Sequence, residues 1–136
     1  MLSKKLVILL VPITIVLGYL FLQTNFQKIK KNERYYQTKM CKDLGGKIEF
    51  ILPDKTRVDC LTDEYAIEVD WAKKWAEGIG QSLYYAQMTK KKPAIGLIVG
   101  EKDGGYLKRL RRISDKLGIK IIILDRVDWL VEFAYD

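Results

Sequence analysis

The sequence predicts a mixed α/β domain built in the order helix, three strands, helix, strand, helix, strand. Three observations carry this expectation. Residues 47–70 hold three short apolar or alternating runs separated by breaks of turn length, the pattern of an antiparallel meander. Two later runs, 94–99 and 119–124, are apolar apart from Lys120, as strands are when both faces of a sheet are covered. A segment with helical spacing precedes each of these two runs, so they are reached by crossovers, with helices on both sheet faces.

The elements follow in order. Met1 to Lys5 is a short basic start, and Leu6 to Leu22 is apolar apart from Pro12, Thr14 and Gly18. This run has no polar face, which excludes a surface helix of a globular core. It is at the low end of what spans a bilayer and long for a signal-peptide core. No small-x-small cleavage site follows it, which favours an uncleaved anchor over 1–24 against a cleaved signal. Residues 25–32 are a basic linker, and 33–136 form the domain. Tyr36, Met40, Cys41 and Leu44 recur at helical spacing, and Gly45-Gly46 ends that helix. Strands are expected at 47–52, 56–61 and 65–70, with Pro53-Asp54-Lys55 and Thr62-Asp63-Glu64 as their turns. A helix is expected from Trp71 to Met88, stopped by Lys90-Lys91-Lys92-Pro93. Another runs from Tyr106 to Leu117, closed by Gly118. Val127 to Tyr135 forms a terminal element of undefined type.

There is no histidine, which excludes Ser-His and Cys-His catalysis and histidine-ligated zinc. The net charge of +7 is unevenly spread, because residues 1–32 carry five lysines and no acid. The excess charge therefore speaks first for a membrane surface and less for nucleic acid. Lysines flank both ends of the apolar run, so the positive-inside rule leaves its orientation ambiguous.

The chemistry concentrates between residues 57 and 87. With period two, Asp59, Glu68 and Asp70 fall on one side of their strands, while Val58, Cys60, Ile67 and Val69 point to the other. Several half-buried carboxylates in one place are costly unless a cation uses them. Their oxygens suit Mg²⁺, which can activate water and offset charge on a phosphoryl group. On the next helix Lys74, Gln81 and Tyr85 share a face with Gly78, and Lys73 is turned away by about 100°. Lys74 is therefore the amine expected beside the acids. Solvated acids paired with Lys73, Lys74 or Arg57 are the plainer alternative. The basic runs Lys90–Lys92 and Lys108-Arg109-x-Arg111-Arg112 are expected either to face solvent or to meet phosphates.

Asp59, then Glu68-Val69-Asp70, then Gln81-x-x-x-Tyr85, within this element order over about 33–124, resembles the PD-(D/E)xK or restriction-endonuclease-like nuclease superfamily. The resemblance implies that Asp59 and Glu68 bind Mg²⁺, that Val69 lends a backbone carbonyl, and that the substrate is nucleic acid, most often DNA. It departs at position 70, where Asp70 stands in place of the motif lysine and Lys74 would have to serve. The stretches around Cys41, Arg57–Thr62, Ile67–Asp70 and Lys74–Glu77 also resemble small bacterial and phage-associated proteins with export signals.

Cys41 and Cys60 are not spaced as a redox or zinc pair. If the first helix packs on the sheet face of Cys60, they form a disulfide and place the domain outside the cytoplasm. Two buried thiols in a cytoplasmic domain remain the other reading. The expectation is thus a membrane-anchored, Mg²⁺-dependent nuclease with catalytic Asp59, Glu68 and Lys74. Asp70, Gln81 and Tyr85 support them, and Asp59, Glu68, Asp70 and Val69 hold the metal. A catalytically inactive binding or scaffold domain at the membrane is the alternative, and a lipid-binding basic linker a third.

Overall fold

A computed structural model describes residues 15–16 and 31–126. The expected anchor at 1–24 (Ile15 and Val16 apart), most of the linker 25–32 and the terminal element 127–135 lie outside the described residues. Among the described residues no helix is long and apolar enough to cross a membrane.

Helix α1 spans Glu33–Asp43, and Asn32 caps it by accepting the Tyr35 N–H at 3.0 Å. Strands β1 (Lys47–Ile51), β2 (Arg57–Leu61) and β3 (Tyr65–Trp71) follow. The Asp54 carboxylate accepts the Thr56 N–H at 3.0 Å in the first turn, and Thr62 Oγ1 accepts the Tyr65 N–H at 2.9 Å in the second. A single 3₁₀ turn, Ala72–Lys74, leads into α2 (Trp75–Thr89). Strand β4 (Lys92–Val99), helix α3 (Gly104–Leu117) and strand β5 (Lys120–Asp125) complete the unit. The sheet runs β1-β2-β3-β4-β5, with β1, β2 and β3 antiparallel and β3, β4 and β5 parallel. This is the mixed sheet and element order expected from the sequence.

Two boundaries differ. Trp71 stays in β3, paired with Ile98, and packs edge-on to Tyr36, so the following helix starts four residues later than its spacing suggests. Strand β4 begins at Lys92 and takes Pro93 into its first turn of pairing, where the missing N–H is tolerated.

The sheet is covered on both faces. Tyr36, Met40 and Cys41 of α1 pack on Cys60, Ile67, Val69, Ala94 and Ile98. Gly96 makes this close approach possible, since a Cβ there would lie 3.1 Å from both Met40 Sδ and Val69 Cγ2. On the opposite face Ala72 and Leu110 pack on Ile95, Leu97 and Ile119. Cys41 and Cys60 form a disulfide, both fully buried, with Cα atoms 5.5 Å apart. It closes a loop of 19 residues, a constraint on the unfolded chain of about 3 kcal/mol.

One expected alternation fails. Val58 does not share the face of Cys60; it packs with Leu52, Ala66 and Tyr85 under α2. The cause is a local break in the strands. Between the pairs Ile48↔Cys60 and Phe50↔Val58, Glu49 takes φ +56°, a left-handed conformation that side chains other than Gly avoid. The chain thereby gains half a twist, and Asp59 sits at that point.

Candidate functional site

Asp59 stands where the backbone ladder between β2 and β3 stops, after Cys60↔Ile67. Its side chain takes over the pairing: Oδ2 accepts the Val69 N–H at 2.8 Å. Gln37 of α1, a buried residue, holds the other side. Its Nε2 donates to Asp59 Oδ1 at 3.2 Å, to the Asp59 carbonyl at 3.0 Å and to Glu49 Oε1 at 2.8 Å. Glu49 Oε2 in turn meets Arg57 at 2.9 Å. The unusual backbone at Glu49 is thus fixed by two partners, as strained residues at working sites commonly are.

Glu68 and Asp70 project from β3 toward α2, opposite Ile67 and Val69, and are only 7% and 3% exposed. Neither acid is solvated, and of the lysine and arginine partners expected in the plainer alternative Asp70 meets Lys74. Glu68 Oε2 is buried without a hydrogen-bond partner among the described residues. Burial, then the charges of Asp59, Asp70 and Glu33, push the Glu68 carboxyl up from 4.5 to about 9, opposed by Lys74. Burial also raises Asp59 from 3.8 to about 6, against the Val69 N–H that favours its ionised form. Asp70 is raised by burial, and Lys74 works against that rise. Asp70 Oδ1 lies 3.4 Å from Lys74 Nζ and accepts the Trp71 N–H at 3.0 Å. Lys74 also reaches Glu77 at 3.7 Å, and the Asp70 charge is the main reason its amine is held above its ordinary value.

Two residues close the site from the helices. Tyr85 is buried under β2 and β3, and its hydroxyl is raised by burial and then by Glu68, with Gln81 acting against that rise. Glu33, in the first turn of α1, is raised by burial and then by the charge of Asp70. The structure therefore brings Asp59, Glu68, Asp70, Lys74, Gln81 and Tyr85 into one electrostatic neighbourhood. Val69 contributes its N–H to Asp59, and its side chain lies in the core beneath α1.

Sequence reasoning missed Glu33, Gln37 and Glu49. Glu33 and Gln37 are one helical turn apart on α1, in line with Cys41. A polar stripe leading into a cysteine was the available signal. Among the described residues, no group of three or more acidic side chains is arranged as a ready metal cage. The donor set nevertheless suits a hard cation that takes one or two carboxylates and keeps its waters. Glu68 Oε2 is a free buried oxygen, and the mutual repulsion of the acids is what a cation would relieve.

No family model matches the chain, and no solved structure matches it. Among curated proteins it is similar to a protein of Acanthamoeba polyphaga mimivirus named as KilA-N domain-containing. The two are 32% identical over 100 residues, which is 70% of this chain. The chain spans only 38% of that relative's length, and the name describes the whole relative. These findings overturn the resemblance to the PD-(D/E)xK superfamily and to its small exported members. No model of a nuclease family is matched, and the relative carries a different family's name. The residue that departed from the motif agrees: Asp70 stands where the motif has a lysine, and it pairs with Lys74 of the following turn.

Proposed function

We propose that this domain is a Mg²⁺-dependent nuclease, anchored to a membrane by the 1–24 segment, that hydrolyses phosphodiester bonds in nucleic acid. One observation supports it above the others. Glu68 is a buried carboxyl with an unpartnered oxygen, pushed to about 9 beside a second raised acid, Asp59. Structural ion pairs lower carboxyl values; a cluster that raises them marks a site kept for something else.

Asp59 and Glu68 would hold the ion, with Asp70 as a further oxygen. A bound Mg²⁺ would supply an activated water and offset charge on the phosphoryl group. Gln37 and the Val69 N–H orient Asp59 through both of its oxygens. Asp70 aims the Lys74 amine, which stays charged and faces the negative charge that develops in hydrolysis. Tyr85 roofs the site over Glu68 and keeps water from one side.

The choice of nucleic acid rests on the basic run of the helix Gly104–Leu117, since the relative's name states no reaction. The Cys41–Cys60 disulfide supports an exported domain, because such bonds persist in oxidising compartments. Gel mobility with and without reductant after thiol alkylation tests that placement, and two freely alkylated thiols in the native protein would end it.

The test of function is Mg²⁺-dependent cleavage of plasmid and single-stranded DNA by the wild type and by Asp59→Ala and Glu68→Ala. Cleavage that survives both substitutions removes the mechanism. A second reading, a domain that binds without cleaving, is favoured by the mutual satisfaction of Asp70 and Lys74. Calorimetry that finds no Mg²⁺ binding to the folded protein selects it.

A further inference from the structure

We propose that the outer ridge of α3, formed by Lys108, Arg112 and Lys116, is a binding surface for the phosphate backbone of nucleic acid. The inference rests on the nuclease reading for where the backbone leads, and on the helix itself for the contact.

Helix α3 buries Leu110 and Ser114 against the sheet. Lys108, Arg112 and Lys116 are one turn apart, so they stand in line on the exposed side, with Cα atoms about 6 Å apart. Arg111 flanks the line, and Arg109 lies over the Tyr106 ring at 5.5 Å. The helix carries these five cations and one carboxylate, Asp115. Cations at this spacing repel one another. Only Lys116 lies in the last turn, where the helix dipole favours a cation.

Among the described residues, the ion pairs involve Lys39, Arg57, Lys74 and Lys92, and no member of the α3 ridge. The other basic run behaves differently. Lys91 Nζ donates to the Asp63 carbonyl at 2.6 Å, and Lys92 pairs with Glu64 at 2.9 Å. That run is used by the fold, whereas the ridge is not. Helix α3 also packs beside the Ala72–Lys74 turn, through Ala72, Trp75 and Leu107. The Lys74 amine therefore stands at the turn that α3 packs against. An unpaired line of cations on a rigid rod fits a polymer of evenly spaced phosphates better than a single small anion, which wants converging donors.

The experiment uses the full chain in chelator, with a short labelled single strand and a short duplex, read by anisotropy across a salt series. For Lys108→Gln/Arg112→Gln/Lys116→Gln, the slope of log Kd against log salt falls by about 2 to 3, since each lost phosphate contact removes about 0.7 to 0.9. Gln keeps helix propensity, so the fold is retained. The charge-conserving triple Lys108→Arg/Arg112→Lys/Lys116→Arg keeps affinity and slope. Lys90→Gln/Lys91→Gln/Lys92→Gln changes the slope less than the ridge triple. An unchanged slope in the ridge triple, or no wild-type binding at low salt, overturns the inference. So does a ridge triple that loses affinity for phosphatidylglycerol vesicles but keeps its affinity for the oligonucleotides. Mg²⁺ calorimetry and cleavage separate the two ideas. Ridge-dependent binding without cleavage sinks the nuclease alone. Cleavage and Mg²⁺ binding with a ridge-independent slope sink the ridge alone.

Discussion

Glu68→Gln in metal-free protein isolates the acid on which the site depends. The folded value of about 9 stands above the ordinary 4.5, so folding takes up a proton. The sign follows from that. This group's contribution is fully present below about pH 4.5 and is lost as the pH rises through about 9. Between those limits one extra proton is bound in the folded state, which costs the wild type about 1.4 kcal/mol per pH unit. Between pH 5 and 8 the loss amounts to about 4 kcal/mol. Glutamine keeps the shape of the protonated acid and does not titrate, so its profile lacks this component. Urea unfolding of both proteins across that range should show the wild type falling away from the variant as the pH rises. Magnesium should flatten the wild-type profile, because a bound cation favours the ionised form, and leave the variant unmoved. Parallel profiles with and without the ion would refute the reasoning, since they would mean that Glu68 titrates as an exposed acid.

Gln37→Leu removes the donor to Asp59 and Glu49 without changing the helix, and leaves those acceptors buried and unmet. A loss of about 1 to 3 kcal/mol in unfolding free energy is expected, with weaker Mg²⁺ binding by calorimetry. Reduction of the disulfide, or Cys41→Ala/Cys60→Ala, should cost about 3 kcal/mol, read as a lower urea midpoint, from the 19-residue loop it closes. Lys74→Gln should lower cleavage at saturating Mg²⁺ while leaving calorimetric Mg²⁺ affinity near that of wild type. It should also raise the Glu68 titration further, because the cation that opposes its rise is gone. A Lys74→Gln protein that cleaves at the wild-type rate would remove that residue from the mechanism.

The fold was legible because its signals are local. The three short apolar or alternating runs, the turn residues Asp54 and Thr62, and the two largely apolar strands each fix an element without tertiary help. The disulfide was legible as a condition: it required α1 to lie on the face of Cys60, and it does. The site was legible only where it lies on one strand and the next helix. Glu68, Asp70, Lys74 and Tyr85 follow from period and pitch. Asp59 was placed on the right strand for an incomplete reason, because strict alternation would also put Val58 with Cys60. The half-twist at Glu49 breaks that rule, and no residue of β1 announces it: glutamate has no preference for positive φ. The partners from α1 were invisible because they act across 12 to 22 residues of chain, where only packing decides who meets whom.

Those partners explain how the acids stay together at all. Carboxylates that raise one another's affinity for protons are pushing apart, so their own interaction cannot hold the site. Helix α1 does so through two residues one turn apart. Gln37 bonds Asp59 and Glu49, and Cys41 is joined to Cys60. Cys60 is the residue after Asp59, so the covalent tether lies one position from the acid it steadies. Gly46 sits against that tether; a Cβ there would come 2.6 Å from Cys60 Sγ and 2.9 Å from Cys41 Sγ. The same helix that closes one face of the core thus carries the constraint that the acid cluster lacks, and an injury to α1 should be felt in cation affinity at least as strongly as in stability.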